Sequence, residues 1–284
     1  GYLKGLKRPV LASFFENNGV CLLILLFIFP FWYLEIKTSS ILIMFLFTIC
    51  SWLLLCLAIW CLRLPSFKKN ELEINNSSHA RILDLSTISK STFYISLAAF
   101  IQSSLIILYC GTVLSNEDLG LLRASQQIGF TISFLLMVAN TILPPRFAIL
   151  YSERDYSSLV QFVKRIFLIS GFIVLIPVAI CIFFPEWVLS WFGPDFVQGA
   201  FLLRIITIGH FINVIFGCTA SLLVMTGSEK KMRQISLGCS VFGFLSCVIL
   251  VNIFGVVGAA ISISLVLLIQ NFLCILAVRN KFAF

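Results

Sequence analysis

RLPSFKKNELEINNSSHARILDLSTISK, from Arg63 to Lys90, is the one long stretch of this chain that has the composition of a water-exposed segment. Two long apolar runs precede it, and six follow it. A polar segment that divides a membrane chain in this way typically joins two helix bundles on one face of the bilayer. The sequence therefore predicts two lobes, with two apolar runs in the first and six in the second.

The composition predicts a membrane protein. Sixty per cent of the residues are hydrophobic, only 11% are charged, and the mean hydropathy is +1.06, whereas soluble domains carry about 25% charged residues. A membrane span needs about 20 apolar residues, and the run Ile41 to Leu62 reaches this length without a charge. We expect an all-α, polytopic integral membrane helix bundle of about eight transmembrane helices.

The apolar runs set the predicted boundaries. We expect residues 1–62 to hold two helices that end an N-terminal lobe, residues 63–90 to be a cytoplasmic linker, and residues 91–284 to be a complete six-helix lobe. Pro144-Pro145 is expected to end a helix, because proline lacks the backbone N–H that continues it. The spans are predicted at residues 19–34, 41–62, 91–114, 119–143, 164–184, 196–225, 235–254 and 256–278.

The basic residues predict the orientation. Of the 20 Lys and Arg residues, 17 fall in the alternate loops 1–9, 63–90, 144–165, 227–233 and 279–284. Cytoplasmic loops of membrane proteins collect Lys and Arg, so we expect the linker and both termini of this chain to face the cytoplasm. The same rule accounts for the net charge of +8, and we expect no nucleic-acid partner.

The ten cysteines are scattered, mostly through apolar runs, and none forms a Cys-x-x-Cys pair. Neither a zinc site nor a redox motif is indicated by such spacing. We therefore interpret the cysteines as small packing residues and expect no metal site and no cofactor.

Polar residues recur on one face of two predicted spans. In the fourth span Gln126, Ser133 and Asn140 are spaced seven residues apart, with Arg123 on the same broad side. In the sixth span a polar arc of about 120° includes His210 and Asn213 and is bordered by Arg204, if each residue turns the helix by about 100°.

Two interpretations of these faces stay open. Small and weakly polar residues are favoured where membrane helices pack, whereas costlier polar groups such as Gln126 and His210 suit a cavity as well as they suit packing. For Arg123 and Arg204 a further alternative is that their long side chains snorkel to the outer head groups. No Asp or Glu lies deep in any predicted span after residue 91, which favours an anionic or sugar-bearing cargo over a cation. We expect no catalytic residue, and the candidate substrate-binding residues are Arg123, Gln126, Asn140, Arg204, His210 and Asn213.

Several stretches resemble one family. They are GYLKGLKRPVLASFFEN at residues 1–17, LGLLRASQQIG at 119–129, WFGPDF at 191–196, LLVMTGSEKK at 222–231 and NIFGVVGAAISIS at 252–264. In order and spacing they are similar to the Wzx-like O-antigen and polysaccharide flippases of the MATE-like exporter superfamily.

The resemblance implies two six-helix lobes in a bacterial inner membrane, with roughly four helices preceding this chain. It implies a flippase, not an enzyme, that moves undecaprenyl-pyrophosphate-linked oligosaccharide repeat units from the inner to the outer leaflet by alternating access. Lipid-linked oligosaccharide, the bilayer and other polysaccharide assembly proteins would be its partners. The alternatives are a drug or cation antiporter or a lipid II flippase of the same fold, and, with less support, a polyprenyl-linked sugar transferase or polymerase.

Overall fold

The computed structural model describes residues 40–63 and 93–282, together with Leu23, Leu26 and Phe27. The chain divides into two compact units, Gly1–Ser78 and His79–Phe284. Within the described ranges every regular element is a helix. The predicted linker, apart from Arg63, and most of the first predicted span lie outside the described residues.

The first unit contains helix α1, Ser40–Arg63, which coincides with the second predicted span. Cys50 and Leu54 are its buried residues, whereas Met44 and Trp52 expose most of their side chains. Apolar side chains on the outside of a helix are normal where the surrounding solvent is lipid.

The second unit consists of eight α-helices and one 3₁₀ helix within residues 93–282, and the first of these α-helices contains a π-helical turn at Ile101–Leu105. Six segments of the second unit are long and apolar enough to cross a membrane: Phe93–Val113, Asn116–Ser152, Tyr156–Phe183, Pro194–Met225, Glu229–Phe254 and Val256–Phe282. The second unit therefore has the architecture of a multi-pass membrane helix bundle. The elements are α2 Phe93–Val113, α3 Asn116–Ser152, α4 Tyr156–Phe183, α5 Pro185–Ser190, a 3₁₀ helix Pro194–Gly199, α6 Ala200–Phe216, α7 Cys218–Met225, α8 Glu229–Phe254 and α9 Val256–Phe282.

Short connections join successive helices. The Ser115 hydroxyl accepts the backbone N–H of Asp118 at 3.1 Å and so caps α3. A single residue, Gly255, joins α8 to α9 with a φ of 59°, a value that glycine adopts without strain. Three residues later a Cβ on Gly258 would lie 2.0 Å from the Leu250 carbonyl oxygen, so the backbones of α8 and α9 meet closely.

The prediction that Pro144-Pro145 ends a helix is wrong, because α3 continues through both prolines to Ser152. The residues beyond them explain the continuation. Phe147 is fully buried and Leu150 is 6% exposed, both in an apolar cluster that includes Leu159 of α4. Full burial of such side chains contributes about 1.5–3 kcal/mol each, which is comparable to the roughly 3 kcal/mol that a proline costs within a helix.

Helix α6 lies at the centre of the second unit and packs against α3, α4 and α9. Its Ile206 belongs to one apolar cluster and its Leu203 and Val214 to another. The predicted sixth span is interrupted at Gly217, where a Cβ would lie 2.5 Å from Cδ2 of Leu136 on α3. The polar residues of α6 are thus held between neighbouring helices.

Candidate functional site

The interface of α3 and α6 contains a hydrogen bond between two polar residues. Nδ1 of His210 lies 2.6 Å from the hydroxyl oxygen of Ser133, and His210 is only 4% exposed. Its ring also meets the edge of Phe130, with centroids 5.6 Å apart. Gly129 makes room for the imidazole, since a Cβ there would lie 2.4 Å from Cδ2 of His210. His210 therefore joins α6 to α3.

A second polar pair joins α6 to α9. The side-chain amide of Asn271 donates to Oδ1 of Asn213 at 3.0 Å and to the Leu267 carbonyl at 2.8 Å. Asn271 was not a predicted site residue. The only signal in the sequence was a strongly polar side chain inside an apolar run, which is costly unless it finds a partner.

Gln126 lies on the same helix as Ser133 and is 4% exposed. Its Oε1 is buried without a hydrogen-bond partner among the described residues, as is the hydroxyl of Ser125. A buried polar group without a partner costs about 1–3 kcal/mol. Unused acceptors and hydroxyls of this kind can bind the hydroxyl groups of a ligand when the helices separate.

The two predicted arginines differ in their surroundings. The Nε–H of Arg204 donates to the Ile182 carbonyl in the last turn of α4 at 3.1 Å. Arg123 is exposed on α3 and forms no hydrogen bond or ion pair with the described residues. The structure shows no contact between the two arginines, so the pyrophosphate site that pairs them stays a prediction.

Asn140 is exposed on α3, seven residues after Ser133. The structure thus buries Gln126 and His210, half-buries Asn213 and leaves Arg123, Asn140 and Arg204 exposed. It places His210 against α3 and Asn213 against α9, both from the central helix. These two contacts pack the helices together. That His210 and Asn213 bind sugar stays a prediction.

The charged residues divide between the two ends of the unit. One end, called here the basic end, comprises residues 146–165, 226–233 and 279–282 and carries nine Lys and Arg against three acids. There Lys281 donates to the Ser228 hydroxyl at 2.8 Å and to the Thr226 carbonyl, and it lies 5.1 Å from the ring centroid of Tyr151. The opposite end carries Glu117, Asp118, Glu186 and Asp195.

In the described part of the chain, no group of three His, Cys, Asp or Glu side chains is arranged to hold a metal ion. The cysteines at positions 50, 56, 110, 181, 218, 239, 247 and 274 are free. Two of them, Cys110 on α2 and Cys247 on α8, place their sulfur atoms 3.8 Å apart in the core. They act as packing residues between these helices.

No protein-family model, no curated protein and no solved structure matches this chain.

Proposed function

We propose that this chain belongs to a bacterial inner-membrane flippase that moves undecaprenyl-pyrophosphate-linked oligosaccharides from the inner to the outer leaflet. The proposal combines the resemblance of the quoted stretches with a multi-pass helix bundle whose central helix carries polar side chains. In alternating access, one lobe rocks against the other around a binding site near the membrane midplane.

The position of Arg123 within α3 is the observation that carries this proposal. It lies seven residues after the start of α3, about 10 Å along the helix at 1.5 Å per residue. A charge at the centre of a span costs about 2.5–3.5 kcal/mol on insertion scales, and Arg123, which lies nearer the end of α3, has no protein partner among the described residues. A pyrophosphate would satisfy it, since a guanidinium holds phosphate through two parallel hydrogen bonds. Arg204 is the second candidate, although its Nε–H already has an acceptor.

The acidic residues favour an anionic cargo over a cationic one. Every Asp and Glu in the described ranges lies in a connection or in the first turn of a helix. Cation-coupled exporters place a carboxylate within the bundle, where an intramembrane acid marks the ion path. We therefore prefer the flippase to the drug or cation antiporter.

The sugar moiety would be recognised by neutral polar groups. Gln126, Asn140, His210 and Asn213 provide amide and imidazole groups that donate and accept hydrogen bonds. Gln126 supports this part of the proposal best, because its Oε1 is buried without a partner among the described residues.

Complementation tests the proposal. The complete gene is expressed in a strain that lacks its own O-antigen flippase, and surface polysaccharide is measured. We expect the wild-type gene to restore export and Arg123→Ala to lower it by about 10-fold or more, since a hydrogen bond to a charged group is worth about 1.5–3 kcal/mol. Arg123→Lys should restore export only in part, because lysine lacks the planar fork.

Arg146→Ala is the matched control, because Arg146 is exposed near the other end of the same helix. It should insert into the membrane and export at close to the wild-type level. Failure of the wild-type gene to restore any polysaccharide, despite normal insertion, would contradict the proposed function. Normal export by Arg123→Ala would contradict only the role of Arg123.

A further inference from the structure

The middle of α2 is widened by a π-helical turn, Ile101–Leu105. The turn begins eight residues after Phe93 and ends eight residues before Val113, the two ends of the helix. It is closed by a hydrogen bond from the Ile106 N–H to the Ile101 carbonyl. Such turns interrupt the regular α-helical bonding and occur frequently at functional sites. This one lies at the centre of a candidate membrane span.

The turn carries three consecutive polar residues. Ser103 and Ser104 are exposed, and Gln102 is half-buried. The Ser103 hydroxyl donates to the Ala99 carbonyl at 2.9 Å and lies 3.4 Å from the Ser104 hydroxyl.

Gln102 and its neighbour on α8 have unused hydrogen-bonding capacity. The amide of Gln102 reaches the Ser236 carbonyl only at 3.5 Å, beyond the usual 2.7–3.2 Å of such a bond. Oε1 of Gln102 has no partner among the described residues. The Ser236 hydroxyl is buried and also has no partner there. Two helices thus present unsatisfied polar atoms at one level of the span.

Water suits this surface better than lipid does. A π turn keeps its own backbone groups hydrogen-bonded and is tolerated within a membrane helix, so the polar side chains determine which neighbour is favoured. Amide and hydroxyl groups without partners in hydrocarbon cost several kcal/mol each. The Ser103 hydroxyl already donates to the Ala99 carbonyl, so the atom that needs a neighbour beside the exposed Ser103 and Ser104 is Oε1 of Gln102, which water would satisfy.

The chemistry of the turn selects a neutral ligand. Residues 93–113 include no Asp, Glu, Lys or Arg, so α2 itself supplies no charge to attract an ion; the guanidinium of Arg233 on α8 lies over the ring of Tyr94, at the start of α2. Hydroxyl and side-chain amide groups both donate and accept hydrogen bonds, which matches the hydroxyl groups of a sugar.

We propose that the π turn of α2 lines a water-filled path and binds hydroxyl groups of a neutral sugar through Gln102, Ser103 and Ser104. The assignment of the ligand rests on the proposed function, because the oligosaccharide is the polyol of that cargo. It adds to the cationic contact at Arg123 a separate contact with uncharged sugar.

Cysteine accessibility tests whether the surface is wet, independently of any transport. Ser104→Cys is treated in native membranes with a hydrophilic maleimide, which reacts with thiolate in water. The matched control is Phe172→Cys, because Phe172 is an apolar side chain that is 77% exposed in the middle of α4, where we expect it to face lipid. The labelling of the parent chain, which contains the exposed Cys56, is subtracted as background. We expect strong labelling at position 104 and none at position 172.

Export tests the binding role. The double variant Ser103→Ala/Ser104→Ala retains or improves helix propensity, because alanine is the best helix former. If the two hydroxyls bind sugar, export in the complemented strain should fall by about 5-fold or more, the loss expected for two ordinary hydrogen bonds. Ser103→Thr/Ser104→Thr keeps both hydroxyls and should restore most of the export.

The outcomes separate this inference from the proposed function. If Ser104→Cys is as unreactive as Phe172→Cys, the surface is dry and the site is refuted, whatever the export result. Full export by the double alanine variant refutes the binding role. If the wild-type gene restores no export, the proposed function and the sugar assignment both fall, and the labelling result still decides whether the turn faces water.

Discussion

At the scale of the residue, the contact between Gly129 and His210 determines how closely α3 and α6 approach. The imidazole occupies the space where a side chain at position 129 would begin, 2.4 Å from its Cδ2 atom. Small residues let membrane helices approach in this way, and polar side chains then bond across the contact. The Ser133–His210 hydrogen bond of 2.6 Å is such a bond.

Gly129→Ala should therefore destabilise the folded protein by about 1–3 kcal/mol, the usual effect of an inserted methyl group in a packed interior. The matched control is Gly120→Ala on the same helix, where a Cβ meets nothing within 4 Å. It should be neutral or stabilising by up to about 1 kcal/mol, because alanine favours the helix. Unfolding in mixed micelles measures both variants. Equal stability of the two would show that the glycine contact does not matter.

At the scale of the element, local patterns predicted where most helices lie but not how they end or pair. Apolar run length located α1 and the six candidate spans, because that length is a property of each segment alone. The continuation of α3 past Pro145 depends on the burial of Phe147, a tertiary contact that overrides a local breaker. The end of α6 at Gly217 was likewise not predicted, because the apolar run in the sequence continues through it into α7.

The candidate site was predictable to a similar degree. The seven-residue spacing of Gln126 and Ser133 indicated a polar face on α3, and both residues point into the bundle. Asn140 continues the same spacing but is exposed. The sequence could not predict this exposure, because periodicity does not specify where the contact with a neighbouring helix ends. The partner of Asn213 is Asn271, 58 residues away, and no local pattern links them.

The Asn213–Asn271 pair should couple α6 to α9 measurably. In a double-mutant cycle with Asn213→Ala and Asn271→Ala, we expect a coupling free energy near 0.6 kcal/mol and at most about 1.7 kcal/mol, as for other hydrogen bonds between membrane helices. Unfolding in mixed micelles gives the values. A cycle of Asn271→Ala with Gln127→Ala, an exposed site on α3, should be additive within about 0.5 kcal/mol. Additivity in the Asn213 cycle as well would mean that the pair contributes nothing.

At the scale of the whole second unit, basic and acidic residues lie at opposite ends of the helices. The basic end holds nine Lys and Arg, whereas the opposite end holds four acids and lies nearer Arg123 and Arg204. From the positive-inside rule we expect the basic end to lie in the cytoplasm. The two arginines would then lie toward the outer leaflet, at the side where a flipped pyrophosphate arrives.

Labelling from one side of the membrane tests this orientation. Glu153→Cys at the basic end and Asn116→Cys at the opposite end both replace exposed residues. In intact cells an impermeant maleimide should label position 116 alone, and position 153 should react only after the membrane is opened. Labelling of position 153 in intact cells would reverse the orientation.

The central claim is that this protein flips lipid-linked oligosaccharide, and a reconstituted assay measures it most directly. The complete gene product is placed in liposomes that contain undecaprenyl-pyrophosphate oligosaccharide, and impermeant periodate reports the sugar exposed outside. With wild-type protein we predict that periodate oxidises the sugar of both leaflets. With Arg123→Ala the oxidation of the inner-leaflet sugar should be slower. In protein-free liposomes the inner-leaflet sugar should stay intact. Retention of the inner-leaflet sugar by folded wild-type protein, as in protein-free liposomes, would contradict the claim.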